Sequence, residues 1–403
     1  MGIMRAFTTF LVEEPTEEKL KHLEHPEDHL IKSGEPGFHH AFNTLKTTEQ
    51  ALQGLDSGTK IMTKFDGAPS VVFGHNPENN KFFVASKSAW NKTPKINYTL
   101  ADIKKHHAHA PGLVSKLSAA LKYLPKVSPK AGVFQGDFLY NKADGDVRRT
   151  DNTFSFKPQL IEYQAPVNGK LGRQIADAKI GFAVHTGYEG RSLADMHANY
   201  TPDLSGFQEH PDVHLHTWDK TFSAKKAALT PEEHNKFKTE MNAAGEVFKN
   251  SDRAAVFHQT PEMQEHLSTY INRMVRHNQQ PTVAGLAAHV QERHQKGIDA
   301  VKTEKTKLAK TETMKAELKN LKAQAEPLDA LLKMHDHIQQ AKQALMPALH
   351  RGNSDGYKHF IQGNESGPEG FVTVTADNRP TKLVHRGEGG FAQLNLKKGG
   401  FGK

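Results

Sequence analysis

The chain contains no cysteine. Disulfides, thiolate nucleophiles and cysteine-ligated zinc are therefore excluded. Long apolar runs are missing too, and none approaches the length of a membrane span. The stretch from Met1 to Glu14 is too short in apolar residues for a secretory signal, so an intracellular, cytoplasmic protein without a membrane partner is expected. There is no P-loop and no dinucleotide-binding glycine fingerprint, which removes two common phosphate cradles. Acids are fewer than bases, 45 against 53, giving a net charge of +8 and a pI near 9.2. That balance suits a polyanion such as nucleic acid or ATP, although charge alone serves solubility equally well. At 36% hydrophobic and 24% charged, the 403 residues form a polar but foldable composition with room for two or three domains.

Four segments follow from the patterning. Residues 1–58 read as helical, with Thr47 and Gln50 as a capping box before Ala51. Residues 59–216 alternate β-branched and aromatic runs with turn residues: Lys60–Phe65, Ser70–Phe73, Lys81–Ser86, Gly132–Tyr140, Thr153–Lys157 and Lys179–His185. One helix, Thr99–Leu124, interrupts them, and Asp144-Gly145 reads as a hairpin turn. Residues 217–355 are helical, with starts at Thr230-Pro231-Glu232-Glu233 and Thr260-Pro261-Glu262. A long helix is expected over Thr282–Lys322, with a break at Gly297. Its second half, Lys302–Lys322, carries seven lysines and a sparse apolar stripe, as a solvated hairpin arm or coiled-coil-like segment would. Strands return in residues 356–403, at Gly370–Thr375 and Thr381–His385, before a glycine-rich tail expected to be flexible. The helical block thus reads as an insertion in a β-rich domain, or as a domain between its halves.

Lys64-Phe65-Asp66-Gly67 closes the first strand. Strand alternation would aim Lys64 and Asp66 into one pocket, and Gly67 would let the chain turn where a Cβ is in the way. A lysine beside a carboxylate at a strand end is placed to be a nucleophile. A surface lysine beside a turn fits the tetrapeptide as well, so the rest of the chain must decide.

The tetrapeptide resembles the first signature of the covalent nucleotidyltransferases, the ATP-dependent DNA and RNA ligases and mRNA capping enzymes. Later segments resemble the family's other signatures in order. Ala85-Ser86-Lys87-Ser88 is similar to the element whose basic residue touches the nucleotide, with Lys87 where arginine is usual. Val133-Phe134-Gln135-Gly136-Asp137-Phe138 resembles the third signature, with Asp137 in place of glutamate. Phe182 is the favoured ring to stack on the base, with Phe154 or Phe156 as the alternative; core packing suits any single phenylalanine better. Pro368-Glu369-Gly370-Phe371-Val372 resembles the fourth signature. Thr381 to Arg386 resembles the last, with Lys382 matched, Val384 where a second lysine is usual, and Arg386 as a substitute. The N-terminal run Phe7–Glu13 is similar to uncharacterised tailed-phage proteins, which would place the protein in the host cytoplasm.

The resemblance implies an α+β fold: a ligase-like domain of antiparallel sheets flanked by helices, with a large helical insertion. It implies that Lys64 attacks the α-phosphate of ATP to form lysyl-AMP, which then passes to a 5′-phosphate for joining to a 3′-hydroxyl. Asp66, Gly67, Lys87, Asp137, Phe182, Glu369, Lys382 and Arg386 would bind the nucleotide, and Asp137 and Glu369 would hold Mg²⁺ (or Mn²⁺). Burial and nearby cations are expected to depress the Lys64 pKa and free the amine. Only about twenty residues follow the last strand, too few for the barrel usual in DNA ligases, so RNA is the favoured substrate. A DNA ligase of unusual build is the alternative. So is a non-catalytic nucleic-acid-binding or virion-associated protein with a decayed ligase fold, motivated by Pro69, Asp137 and Val384. The histidines at 22, 25 and 29, and those at 106, 107 and 109, read as exposed helix faces rather than metal sites.

Overall fold

The computed structural model describes residues 23–397. The Phe7–Glu13 run, His22 and the tail from Lys398 lie outside them. The first element is α1 (Pro26–Leu52), with proline in its first turn and Glu27 and Asp28 facing the positive end of the helix dipole. It kinks at Gly34, whose φ of 61° disfavours any residue with a Cβ. Thr47 lies inside α1, because Phe38, Ala41, Leu45 and Leu52 continue the buried stripe past it, and caps nothing.

Three strands follow, β1 (Lys60–Lys64), β2 (Ser70–His75) and β3 (Phe82–Ala85). The expected helix over Thr99–Leu124 is two, α2 (Leu100–His107) and α3 (Pro111–Tyr123), because Pro111 cannot continue the first and starts the second. Then come β4 (Val133–Asn141), β5 (Val147–Arg149), β6 (Thr153–Phe156), β7 (Glu162–Pro166), α4 (Lys170–Asp177), β8 (Ile180–Glu189), β9 (His197–Asn199) and β10 (Val213–Thr217). Gly145 makes a left-handed turn, yet β4 and β5 belong to different sheets, so the chain switches sheets there and forms no hairpin.

The helical run comprises α5 (Pro231–Asn250), α6 (Arg253–Phe257), α7 (Pro261–His277), α8 (Val283–Asp299), α9 (Glu304–Ala323) and α10 (Ala325–Gly352). Thr230 and Glu233 form the capping box of α5. The expected helix over Thr282–Lys322 parts between Asp299 and Glu304; Gly297 stays inside α8. The chain closes with β11 (Lys358–Ile361), β12 (Asn364–Ser366), β13 (Gly370–Val374), β14 (Pro380–Leu383) and α11 (Phe391–Lys397).

The strands make three sheets. One has the order β1-β13-β14, a second runs β10-β8-β4-β2-β3 with β9 beside β8, and a third runs β12-β11-β7-β6-β5. Every pairing among them is antiparallel except β8 with β10. Side-chain alternation gives the three-stranded sheet two faces. Ile61, Phe371 and Leu383 pack into one core with α1 and α5 to α10, while Met62 and Val372 face the other way. The helical block is therefore not separable: it shares its core with α1 and with the strand that carries Lys64. Helices α2 and α3 cover the six-stranded sheet, and a further core joins the five-stranded sheet to residues of β4 and β8. Among the described residues, no helix is long and apolar enough to cross a membrane.

Candidate active site

Lys64 is the last residue of β1 and pairs with Gly370 on β13. Its neighbour Thr63 turns to the helical side, where its N–H donates to the Thr221 hydroxyl and its own hydroxyl donates toward Thr221 and Asn353. Alternation then sends Lys64 to the opposite face. There its Nζ donates to Glu369 Oε2 at 2.7 Å, with the two side chains 29% and 11% exposed.

Burial pushes the Lys64 ammonium down, but Glu369, Asp137 and Asp66 together outweigh it and hold the group above its usual range. This corrects the expected depression: in this arrangement carboxylates, not cations, dominate around the amine. Glu369 moves the opposite way from an ordinary ion-pair partner. Burial raises it, Asp66 adds repulsion, and the cations Lys64 and Lys382 do not cancel these, so it sits at about 7. We take Lys64 to be the charged ammonium, since a hydrogen bond of this length and three carboxylates all favour it.

A stability signature follows. Glu369 has a folded pKa above the unfolded value near 4.5. Its contribution is fully present below pH 4.5 and is lost as pH rises through about 7. Glu369→Gln should therefore gain on wild type between pH 5 and 8, by on the order of 2–3 kcal/mol at most. Urea unfolding at both pH values measures the difference; a gap that does not change with pH would contradict the assignment.

Asp137 comes from β4, level with Ser70 on β2 and Ala183 on β8. Burial raises its carboxyl, but His185, at 3.4 Å, with Lys64 and Ser70, brings it below the usual range. His185 was not singled out from the sequence: it lies 48 residues from Asp137 and only strand pairing brings them together. Gly67 explains the close approach of the two segments. A Cβ there would lie 2.7 Å from the Asp137 Cβ and 2.8 Å from the Phe138 carbonyl oxygen. Gly67→Ala should push the segment after β1 away from β4 and destabilise the fold by about 1–3 kcal/mol, an overpacking cost measurable by denaturant unfolding.

Lys382 shares the Lys64 face of the three-stranded sheet, on the strand beyond β13 and opposite Val372. Burial lowers its pKa, and Lys64 and Arg386 reinforce this against Asp28 and Glu24. Its backbone N–H donates to the Glu24 carbonyl, which ties β14 to the start of α1. Val384, where the resemblance leads one to expect a second lysine, is buried beside Gly370. Lys87 is exposed just after β3, at the end of the sheet where Ser70 and Asp137 stand.

Three expectations are corrected. β1 ends at Lys64, so Asp66 does not continue its alternation. One Asp66 oxygen instead accepts the N–H groups of Leu160 and Ile161 at 2.6 and 2.8 Å, and the Asp66 N–H donates to the Tyr163 hydroxyl. Asp66 thus ties the end of β1 to the start of β7 rather than presenting an open nucleotide contact. Phe182 is fully buried, edge-on to Phe73 and Phe138, and so cannot stack on a base. The alternative rings Phe154 and Phe156 are buried as well, the latter stacked on Tyr163. Arg386 lies past the end of β14, where its guanidinium grips Asp28 with two hydrogen bonds of 2.7 and 2.8 Å. The acids at the start of α1 draw it away from Lys64.

The histidines near the start of α1 are not on an exposed face either: His25 is buried, and burial drops His29 to about 4. His107 is also buried. Two open cavities, of about 550 and 300 Å³, lie between α7 and α8 and beside Lys60; neither is lined by Lys64.

Glu369 and Asp137 each offer hard oxygen donors to the surroundings of Lys64, and burial, with repulsion from Asp66, raises Glu369 to about 7. Carboxylate oxygens are the donors that Mg²⁺ or Mn²⁺ takes, one or two at a time, with water and phosphate oxygens in the remaining positions. A protein-family model described as a family of unknown function (DUF6267) matches residues 20–399. Comparisons with curated proteins and with solved structures gave no match.

Proposed function

The chain belongs to that family, whose description assigns no chemistry, and we propose from the site alone that it is a polynucleotide ligase acting through a lysyl-AMP intermediate. One observation carries the reading: Lys64 lies 2.7 Å from Glu369 and within electrostatic reach of Asp137, both from distant parts of the chain, and of its near neighbour Asp66. The sheets that bring them together are those on which the ligase-like segments fall in order.

In this reading the neutral Lys64 amine attacks the α-phosphorus of ATP. A P–N bond forms, the bond to the β-phosphate oxygen breaks, and pyrophosphate leaves. The proton lost by Lys64 has an acceptor 2.7 Å away, in Glu369 poised at about 7. Lys382 and Lys87 are the cations available to the phosphates. A 5′-phosphate oxygen of the polynucleotide then attacks the same phosphorus, the P–N bond breaks and the lysine is regenerated. Attack of a 3′-hydroxyl on the activated 5′-phosphate expels AMP and joins the strand. A bound Mg²⁺ on Glu369 and Asp137 would neutralise phosphate charge. RNA is the favoured substrate in this reading, because the sheet that carries Lys64 shares its core with a helical block that bears a lysine-rich arm.

Incubation with α-labelled ATP and Mg²⁺, followed by denaturing electrophoresis, tests the first step. Label on the wild type supports the reading; its absence with ATP, and with GTP and NAD in parallel, leaves a non-catalytic nucleic-acid-binding protein. Nicked RNA and DNA duplexes then distinguish the substrates.

A further inference from the structure

Far along the chain from Lys64, three helices meet at His266 of α7, His294 of α8 and Glu317 of α9. His266 Nε2 lies 3.2 Å from one Glu317 oxygen and His294 Nε2 lies 2.6 Å from the other. One ligand atom from each of the three residues fits within 4.8 Å of the others. The helix that supplies Glu317 has little else to hold it: over 20 residues, α9 buries only Leu321. Leu321 and the half-buried Leu318, both toward its C-terminal end, are what it packs into the helical core, so its first turns gain little from the hydrophobic effect.

We propose that His266, His294 and Glu317 bind a divalent transition-metal ion, zinc foremost, which clamps the lysine-rich helix α9 onto α7 and α8. Two imidazoles and one carboxylate are a zinc donor set, with solvent supplying a fourth ligand. The side chains are 11% to 21% exposed, so water reaches the site.

The geometry needs only small adjustment. Tetrahedral ligands at ~2.0–2.1 Å from zinc lie roughly 3.3 Å apart. The two histidines now meet different Glu317 oxygens, and with the three ligand atoms within 4.8 Å of one another the spacing closes by shifts of at most about 1.5 Å. Binding requires both Nε2 atoms to give up any proton, so the His266 hydrogen moves to Nδ1. Arg293 now stands 3.3 Å from that Nδ1, but it also holds Glu265 at 2.6 Å and can keep that partner as it turns away. The site is independent of the nucleotidyltransferase reading.

The full chain, stripped with chelator, is titrated with Zn²⁺ by calorimetry and with Co²⁺ by visible absorption. One ion per chain, an intense tetrahedral cobalt band, a rise in Tm and slower tryptic cleavage within α9 are expected. His294→Ala and Glu317→Gln should each weaken binding more than tenfold and remove the Tm rise. The second is isosteric and guards against a variant that fails to fold. His106→Ala with His109→Ala should bind as wild type. Absence of saturable binding, or equal affinity in Glu317→Gln, would overturn the proposal.

Discussion

Lys64→Ala is expected to lose all covalent nucleotide label while keeping its fold. The Lys64 amine is the nitrogen held on Glu369 at the end of β1, and its near neighbours Asp66, Asp137 and Glu369 are acids that cannot form a P–N bond. Arginine is not a substitute, since its guanidinium stays protonated, so Lys64→Arg should fall to the same background. The label on wild type should be lost in acid and survive alkali, as a phosphoramidate is and a phosphate ester is not. The wild-type label should also rise with pH, because carboxylates hold Lys64 above its usual range and attack needs the neutral amine. Circular dichroism separates this from unfolding. Lys64 is partly exposed, so the variant leaves no large cavity. An alanine variant labelled as strongly as wild type would remove Lys64 from the mechanism.

Lys342→Met is expected to cost about 3–5 kcal/mol of stability, the largest such loss anticipated. Lys342 on α10 and Glu27 on α1 are paired with neither side chain exposed. Arg386 lies 3.4 Å from the same Glu27 oxygen and grips Asp28 as well. Removing Lys342 leaves the buried Glu27 to an Arg386 that it shares with Asp28, and its second oxygen already lacks a partner. Glu27→Gln should cost a similar amount for the converse reason. The double variant should cost less than the sum of the two, because a neutral pair removes the stranded charge. Denaturant unfolding of the four proteins measures this cycle. Strictly additive losses would show that the two residues do not act as a pair. The cluster sits where α1, α10 and the segment after β14 meet, one helix turn from the backbone bond that holds Lys382 to Glu24. Lys342→Met should therefore also weaken labelling by letting β14 drift from Lys64.

Much of the fold was legible in the sequence where local physics decides. The strands at Lys60, Ser70, Val133, Thr153 and Gly370 start within one residue of the β-branched and aromatic runs that signal them. The capping box at Thr230 needed no distant partner. Expectations failed where a neighbour in space outvoted the local signal. Thr47 looks like a cap, yet α1 runs on beneath it because its apolar stripe has a helical core to cover. Strands β9, β11 and β12 are too short to show alternation, and β7 and β10 alternate but are poor in β-branched and aromatic residues. They form because another strand offers its edge.

The site divides in the same way. By itself the sequence determined that Lys64 ends a strand, that Gly67 permits a tight approach, that Glu369 immediately precedes a strand and that Lys382 lies on one, since each is a property of a few adjacent residues. Only the tertiary structure decided which charges meet. It gave Glu369 to Lys64, His185 to Asp137, Arg386 to Asp28 and the Leu160 and Ile161 amides to Asp66. Coulomb energy depends on separation through space and on burial, and neither is written in spacing along the chain.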